Sequence, residues 1–226
     1  MKDPDELDNL ANSDRHHQRL LRMRTVLHQW MLQMRDLGLL PEAEMHIRAE
    51  GSTPYDVARE PAKFPCKRIL AAAELVGRGP ESVPAAIRLL DDSDSAVRYW
   101  AVIALTVLGS KAEPAIEELK PLLVDSSPNV RFATAGILCK LGYCEKALDV
   151  LAEGLKAERE ETVLYAAREL ENLGERACPV APQMEEARAR CTDASGQYKN
   201  NNHATFIDWA LKNALENCSQ SSDETK

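Results

Sequence analysis

The amino-acid sequence predicts an all-α fold, a solenoid of about four stacked helix pairs, on the basis of composition and an internal repeat. Ala and Leu dominate while aromatic residues make up only 5%, a balance that favours helices over sheets. Four segments end on Gly77, Gly109, Gly142 and Gly174, so the gaps between successive segments are 32, 33 and 32 residues. A fixed period in this range is typical of stacked-repeat proteins.

Each repeat contains one long amphipathic helix. In the stretch VRYWAVIALTVLG, from Val97 to Gly109, apolar residues recur at the spacing of one helix face, and VRFATAGILCKLG, from Val130 to Gly142, repeats the pattern. Glycine at the end can adopt the left-handed conformation that closes a helix. Shorter helices are predicted between them, over 82–90, 112–123 and 145–155. Because one helix pair is too small to bury its apolar face alone, neighbouring pairs must stack.

The pattern D-x-x-V-R…A…L…L-G resembles a short HEAT-like repeat over about residues 62–190. We therefore expect a domain organisation in which HEAT-like repeats occupy 51–190. A Gly/Ser/Asn-rich loop over 191–203, a capping helix over 204–218 and a disordered tail over 219–226 should follow.

The first 50 residues do not fit the repeat. Apolar residues at 20, 23, 27, 30, 34 and 37 predict one long amphipathic helix from about Asp14 to Leu37, stopped by Gly38 and Pro41. Five Arg against two Asp give 14–37 a charge of +3. We expect this helix to pack its apolar stripe on the first repeat, the alternative being a helix that docks on a partner.

The N-terminal segment has a pattern of its own: Asp3-Pro4, Glu6 and Asn9-Leu10-Ala11, then a long predicted helix, then Asp36-Leu37-Gly38 and Pro41-Glu42. In this order and spacing the segment resembles the end of the small C-terminal subdomain of planctomycete-type formylglycine-dependent sulfatases. Some members of that family carry a HEAT-like tail after this element. The resemblance implies a parent enzyme that hydrolyses sulfate esters or sulfamates and is usually exported.

None of the catalytic residues of that family can be placed on this chain. The nucleophile motif C/S-x-P-x-R is absent, since Lys67-Arg68 follow Cys66 and Pro179 follows Cys178. We therefore predict a non-catalytic interaction or stabilising module of a sulfatase, or derived from one, with a protein partner or the parent domain as its ligand. A free-standing adaptor that binds a protein on its concave face is the alternative. An enzyme resembling bilin lyases or DNA-repair glycosylases is the third interpretation.

Composition limits the other functions. A net charge of −8 and a pI of about 5.3 argue against nucleic-acid binding. The chain has no run of 18 apolar residues and no signal-peptide pattern at its start. Six cysteines without a CxxC pair predict reduced structural thiols, and we expect no metal site and no cofactor.

The best candidates for ligand contact are two residue pairs at equivalent repeat positions, Arg98-Tyr99 and Arg131-Phe132. The arginines could bind a sulfated or acidic ligand, and the rings could form a stacking platform. The structural roles are the more common ones for such residues: each arginine would pair with a loop carboxylate, Asp94 or Asp125, while the rings pack between repeats.

Overall fold

Every regular element in the described part of the chain is a helix. The computed structural model describes residue 3, residues 7–199 and residues 202–223, without the side chains of 202 and 220–223. Within these ranges, β-type backbone pairing is limited to an isolated antiparallel bridge between Thr192 and Tyr198. The N-terminal segment contributes α1 (His17–Met34) and α2 (Glu42–Arg48).

The repeats follow as helix pairs, and in each pair the second helix is the longer. The pairs are α3 (Pro54–Arg59) with α4 (Cys66–Ala73), α5 (Val83–Leu89) with α6 (Ser95–Leu108), α7 (Ile116–Leu119) with α8 (Pro128–Lys140), α9 (Cys144–Gly154) with α10 (Glu160–Leu173), and α11 (Ala181–Ala189) with α12 (Asn202–Asp223).

The second helices stack side by side in chain order. Helix α4 contacts α6, α6 contacts α8, α8 contacts α10, and α10 contacts α12. Helix α8 lies in the middle of this row. Nearly all of its side chains are buried, including that of Leu138. One apolar core runs continuously from α5 to α12, as expected when no single pair can bury its own face.

Backbone geometry at the repeat ends explains the periodic glycines. The φ angles are 78° at Gly77, 58° at Gly109, 96° at Gly142 and 56° at Gly174. A side chain at these positions would strain the backbone, so the residue that closes each long helix must recur with the repeat. At the other end of α6, Asp94 caps the helix by accepting from the backbone N–H of Ala96 at 2.9 Å.

The first helix pair shares a second core with the N-terminal segment. Leu39 and Leu40 are buried in this core together with Phe64 and Ile69. The indole Nε1 of Trp100 in α6 donates to the carbonyl oxygen of Leu39 at 2.8 Å. The stretch 37–50 therefore packs on the repeats across the predicted division at residue 50.

The predicted packing of α1 is wrong. None of its residues is buried, and the apolar stripe expected on the first repeat is exposed at Met23, Leu27, Trp30 and Met34. The helix instead packs against the second core through the partly buried side chains of Met31 and Leu32. It ends at Met34 because Arg35 adopts a left-handed conformation with φ 54°, before the predicted stop at Gly38.

The C-terminal helix is longer than predicted. Helix α12 starts at Asn202, within the predicted loop 191–203, and continues through the predicted disordered residues up to Asp223. The side-chain hydroxyl of Ser219 donates to the carbonyl oxygen of Leu215 at 3.1 Å, as in a continuing helix. Residues 224–226 of the predicted tail lie outside the described residues.

The expectation of six reduced thiols is wrong at four positions. Disulfides join Cys139 to Cys144 and Cys178 to Cys218, while Cys66 and Cys191 are buried free thiols. The Cys178–Cys218 bond ties α12 to the turn before α11, across 40 residues of sequence. No local sequence motif predicts this pairing, because the two cysteines come together only when the last helix pair stacks.

Candidate interaction surface

The first predicted ligand residue, Arg98, is used within the protein. Its guanidinium forms a bidentate pair with Asp125, with Nε to Oδ2 at 2.8 Å and a terminal nitrogen to Oδ1 at 2.7 Å, and donates to the carbonyl oxygen of Asp92 at 2.8 Å. The side chain is 12% exposed. The hydrogen bonds from Asp125 raise the pKa of Arg98 above its ordinary value. Arg98 thus links two consecutive repeats through the loop carboxylate that the sequence suggested.

Arg131 occupies the equivalent position of the next repeat and lacks this carboxylate pairing. A terminal nitrogen of its guanidinium donates to the carbonyl oxygens of Asp125 at 2.6 Å and Ser126 at 3.2 Å. The side chain remains partly exposed, at the edge of a groove described below. It is therefore the predicted arginine with more freedom to meet a ligand.

The two predicted rings pack between repeats. Phe132 is 2% exposed, and its ring centroid lies 6.1 Å from that of Tyr165. The Tyr99 ring meets Trp100 at 5.6 Å and Tyr165 at 6.1 Å. Because Tyr99 and Tyr165 come from α6 and α10, their rings meet across α8, so three successive repeats are joined on this face. Burial raises the pKa of Tyr99, and that of Tyr165 well above its ordinary value, so both hydroxyls stay neutral.

A buried polar cluster joins α2 to the starts of α6 and α8, and we call it the α2 clamp. The carboxylate of Glu44, 6% exposed, accepts from Arg48 Nε at 2.9 Å, from the Ser95 hydroxyl at 2.5 Å and from the Ser127 hydroxyl at 2.9 Å. Arg48 also donates to both carboxylate oxygens of Asp94 at 3.0 Å. Burial of this guanidinium is compensated by two carboxylates, so the cluster is satisfied.

The α2 clamp was not predicted from the sequence. The pattern that could have indicated it is a pair of opposite charges, Glu44 and Arg48, four residues apart on a short helix beside buried apolar residues. Two residues after the end of the same helix, the carboxylate of Glu50 lies 3.5 Å from the guanidinium of Arg159, which precedes α10. Helix α2 and its flanks therefore span the starts of three successive long helices.

A groove of about 810 Å³ lies beside the α2 clamp. Its wall combines apolar side chains with charges of both signs, and includes Ile47, Val124, Arg131, Phe132, Lys156 and Arg159. Two of the four predicted residues, Arg131 and Phe132, thus meet at one surface, while Arg98 and Tyr99 do not line it.

The second exposed surface is the apolar stripe of α1, which we define as Met23, Val26, Leu27, Trp30 and Met34. Each of these side chains is more than half exposed. Arg19 and Arg22 flank the stripe, and an open depression of about 620 Å³ runs along it. This exposure makes the stripe a candidate interaction surface.

The described residues contain no group of three or more His, Cys, Asp or Glu side chains arranged to hold a metal ion. Within the same ranges, no helix is long and apolar enough to cross a membrane.

Comparison with known families agrees with the repeat geometry. The sequence profile of HEAT repeats matches residues 103–171, from within α6 to within α10. The fold is thus an all-α, HEAT-like solenoid. The matched stretch is a helical repeat of a type that typically mediates protein interactions. No curated protein matches the chain.

Proposed function

We propose that the chain is a non-catalytic interaction and stabilising module derived from the C-terminal part of a formylglycine-dependent sulfatase. The polar residues that carry the resemblance close turns in the N-terminal segment. Asp3 accepts from the backbone N–H groups of Leu7 at 3.0 Å and Asp8 at 2.9 Å, and Asn9 accepts from that of Ala11 at 3.0 Å. Asp36 accepts from the N–H of Gly38 at 2.9 Å. These local roles give a physical reason for their fixed spacing.

The α2 clamp is the observation that carries this proposal. Its members come from both parts of the chain, since Glu44 and Arg48 belong to the sulfatase-like segment while Asp94, Ser95 and Ser127 belong to the repeats. Breaking a buried, fully paired cluster costs several kcal/mol, so the two parts stay together. The repeats then act as a rigid support for the segment that would face the catalytic domain.

Absence of catalysis is part of the proposal. The chain lacks the nucleophile motif, and several of its buried charged groups are engaged in structural pairs, as Arg98 is with Asp125. The parent domain would perform the sulfate-ester or sulfamate hydrolysis, while this module would support its folding, assembly or substrate access.

The experiment combines genomic context with reconstitution. We expect the DNA immediately 5′ of codon 1, or a neighbouring reading frame, to encode a sulfatase domain with the C/S-x-P-x-R motif. Adding this chain to that domain should raise its thermal midpoint, whereas the chain alone should not cleave an aryl sulfate. Turnover by the chain alone, or a neighbouring sulfatase domain whose midpoint does not respond, would contradict the proposal.

A free-standing adaptor is the second candidate, and the groove beside the α2 clamp favours it. Arg131 and Arg159 provide cationic groups, and Val124 provides an apolar side chain that is 85% exposed. A ligand held there should be lost in Arg131→Ala and retained in Arg176→Ala, whose side chain does not line the groove. A genome that encodes no sulfatase near this gene would favour the adaptor over the first proposal.

A further inference from the structure

An arginine–aspartate pairing recurs from one repeat to the next at the starts of the long helices. Arg68, near the start of α4, pairs with Asp92 in the loop before α6. Arg98, near the start of α6, pairs with Asp125 in the loop before α8. In both cases a guanidinium of one repeat meets a carboxylate that precedes the next long helix. We call these two pairs the arginine–aspartate ladder.

The two aspartates of the ladder occupy the same structural position. Asp92 and Asp125 each lie two residues before the N-cap residue of the following long helix, and each accepts from the backbone N–H of that residue at 2.8 Å. The N-cap residue of α10 is Arg159, so the equivalent position in the next repeat is Ala157. An alanine has no side-chain acceptor, and the next carboxylate of the ladder is therefore missing from the sequence.

Arg131 is the arginine that this change leaves without a carboxylate. Arg98 and Arg131 make the same backbone contact, because each donates to the carbonyl oxygen of the residue six positions earlier, at 2.8 Å and 2.6 Å. In Arg98, Nε and the other terminal nitrogen bind the carboxylate of Asp125. The corresponding nitrogens of Arg131 form no ion pair with any carboxylate in the described part of the chain. They are the donors that a ligand can use.

The open position of the ladder faces the groove beside the α2 clamp. Arg131 and Ala157 both line this groove, whose volume of about 810 Å³ is typical of ligand-binding clefts. Ile47 and Val124 add apolar surface to the same wall, and Val124 is 85% exposed. The groove therefore suits a ligand that combines a carboxylate with a neighbouring apolar side chain.

The other charges of the groove favour a ligand with one negative charge. Cations and carboxylates are equal in number along the wall: Arg131, Lys156 and Arg159 against Asp149, Glu153 and Glu158. Lys156 is already paired with Glu153 at 3.0 Å, and Arg159 lies 3.5 Å from Glu50. The guanidinium of Arg131 can balance one carboxylate, whereas a phosphate group, with about two negative charges, would be repelled by the surrounding carboxylates.

We propose that the groove binds a protein partner through an aspartate or glutamate side chain, which occupies the position left open by Ala157 and pairs with Arg131. An apolar residue beside that carboxylate packs on Ile47 and Val124. The partner thus supplies the carboxylate that the chain itself supplies in the preceding repeats. This proposal rests on the adaptor candidate, whose ligand class it names, and not on the sulfatase relationship.

Ala157→Asp tests the open position within the chain itself. Its carboxylate should pair with Arg131 and raise the thermal midpoint by about 2–4 °C. Ala157→Asn, which has nearly the same shape without the charge, is the matched control and should raise the midpoint less. The difference should vanish when Arg131→Ala is added to both variants. Equal midpoints for Ala157→Asp and Ala157→Asn, or a difference that persists without Arg131, would overturn the proposal.

Peptide arrays test the ligand class. Short peptides carry Asp, Glu, Asn, Gln or phosphoserine at the centre and mixed residues elsewhere. The unmodified chain should prefer a central Asp or Glu over Asn or Gln by about 10-fold or more. Arg131→Ala should lose this preference, and so should Ala157→Asp, because its own carboxylate fills the position. Arg176→Ala, whose side chain does not line the groove, should keep it.

Two results on the arrays would overturn the proposal. One is undiminished binding of acidic peptides by Ala157→Asp, and the other is a central phosphoserine preferred to Asp and Glu. Absence of any preference among the central residues counts equally against it. If the peptides retained in that last case were still lost in Arg131→Ala, the adaptor function of the groove would stand with a different ligand.

Discussion

Replacing Glu169 by Gln should remove much of the pH dependence of stability between about pH 5 and pH 8. Glu169 lies in α10, and its carboxylate packs directly over Gly136 of α8, so that a Cβ at position 136 would require the Glu169 side chain to shift. Tyr99 and Tyr165 lie beside it with neutral hydroxyls, and Lys140 is the cation that partly offsets its burial. Burial dominates and raises the pKa of Glu169 from 4.5 to about 7.

The sign and size of the effect follow from proton linkage. The folded state holds the Glu169 proton more tightly than the unfolded state, because the pKa is about 7 in the folded protein and returns to its ordinary value of 4.5 when the chain unfolds. The stabilisation is complete below about pH 4.5 and is lost as the pH rises through about 7. At 1.36 kcal/mol per pKa unit, the loss approaches about 3 kcal/mol. The neutral amide of Gln cannot lose a proton and should escape this penalty.

Urea unfolding at about pH 5 and about pH 8 measures the effect. The free energy of unfolding of the unmodified chain should fall by roughly 2–3 kcal/mol from about pH 5 to about pH 8. For Glu169→Gln the fall should be smaller by at least about 1 kcal/mol. Glu153→Gln is the matched control, since Glu153 is 75% exposed and lies on the outside of α9. Equal losses of stability in Glu169→Gln and Glu153→Gln between the two pH values would show that burial of Glu169 is not the cause.

Three further changes test the packing. Leu138→Ala should lower the free energy of unfolding in urea by about 2–5 kcal/mol, because this side chain is 1% exposed. Val107→Ala, at an exposed position, should lower it by less than about 0.5 kcal/mol. Glu44→Ala should cost about 2–4 kcal/mol by removing three hydrogen bonds of the α2 clamp, and a loss below about 0.5 kcal/mol would mean that water replaces them. Replacing Cys178 and Cys218 together by Ser should cost about 2–4 kcal/mol because the closed loop spans 40 residues; peptide mapping without reduction that finds both thiols free would contradict this linkage.

The repeat could be predicted because its physical cause is local. A buried helix needs apolar residues at fixed intervals, and its end needs a residue that tolerates positive φ, so Gly109 and Gly142 mark equivalent places. The pairing of Arg98 with Asp125 could also be anticipated, because an arginine in the first turn of α6 lies near the loop that precedes α8.

Other features depend on contacts that no short window of sequence contains. Whether the α1 stripe is buried depends on how α1 meets the first repeat, and the contact through Met31 and Leu32 leaves the stripe outside. Glu44 and Ser127 are 83 residues apart, and Cys178 and Cys218 are 40 apart. Periodicity shows that a face is apolar, but it does not identify what covers that face.

Hydrogen exchange along the chain tests the central claim, that the N-terminal segment and the repeats form one module. The backbone amides of α2 should be protected to the same degree as those of α6, because the α2 clamp opens only when the stack opens. Glu44→Ala should lower the protection of α2 selectively. Exchange of the α2 amides several orders of magnitude faster than those of α6 in the unmodified chain would contradict the claim.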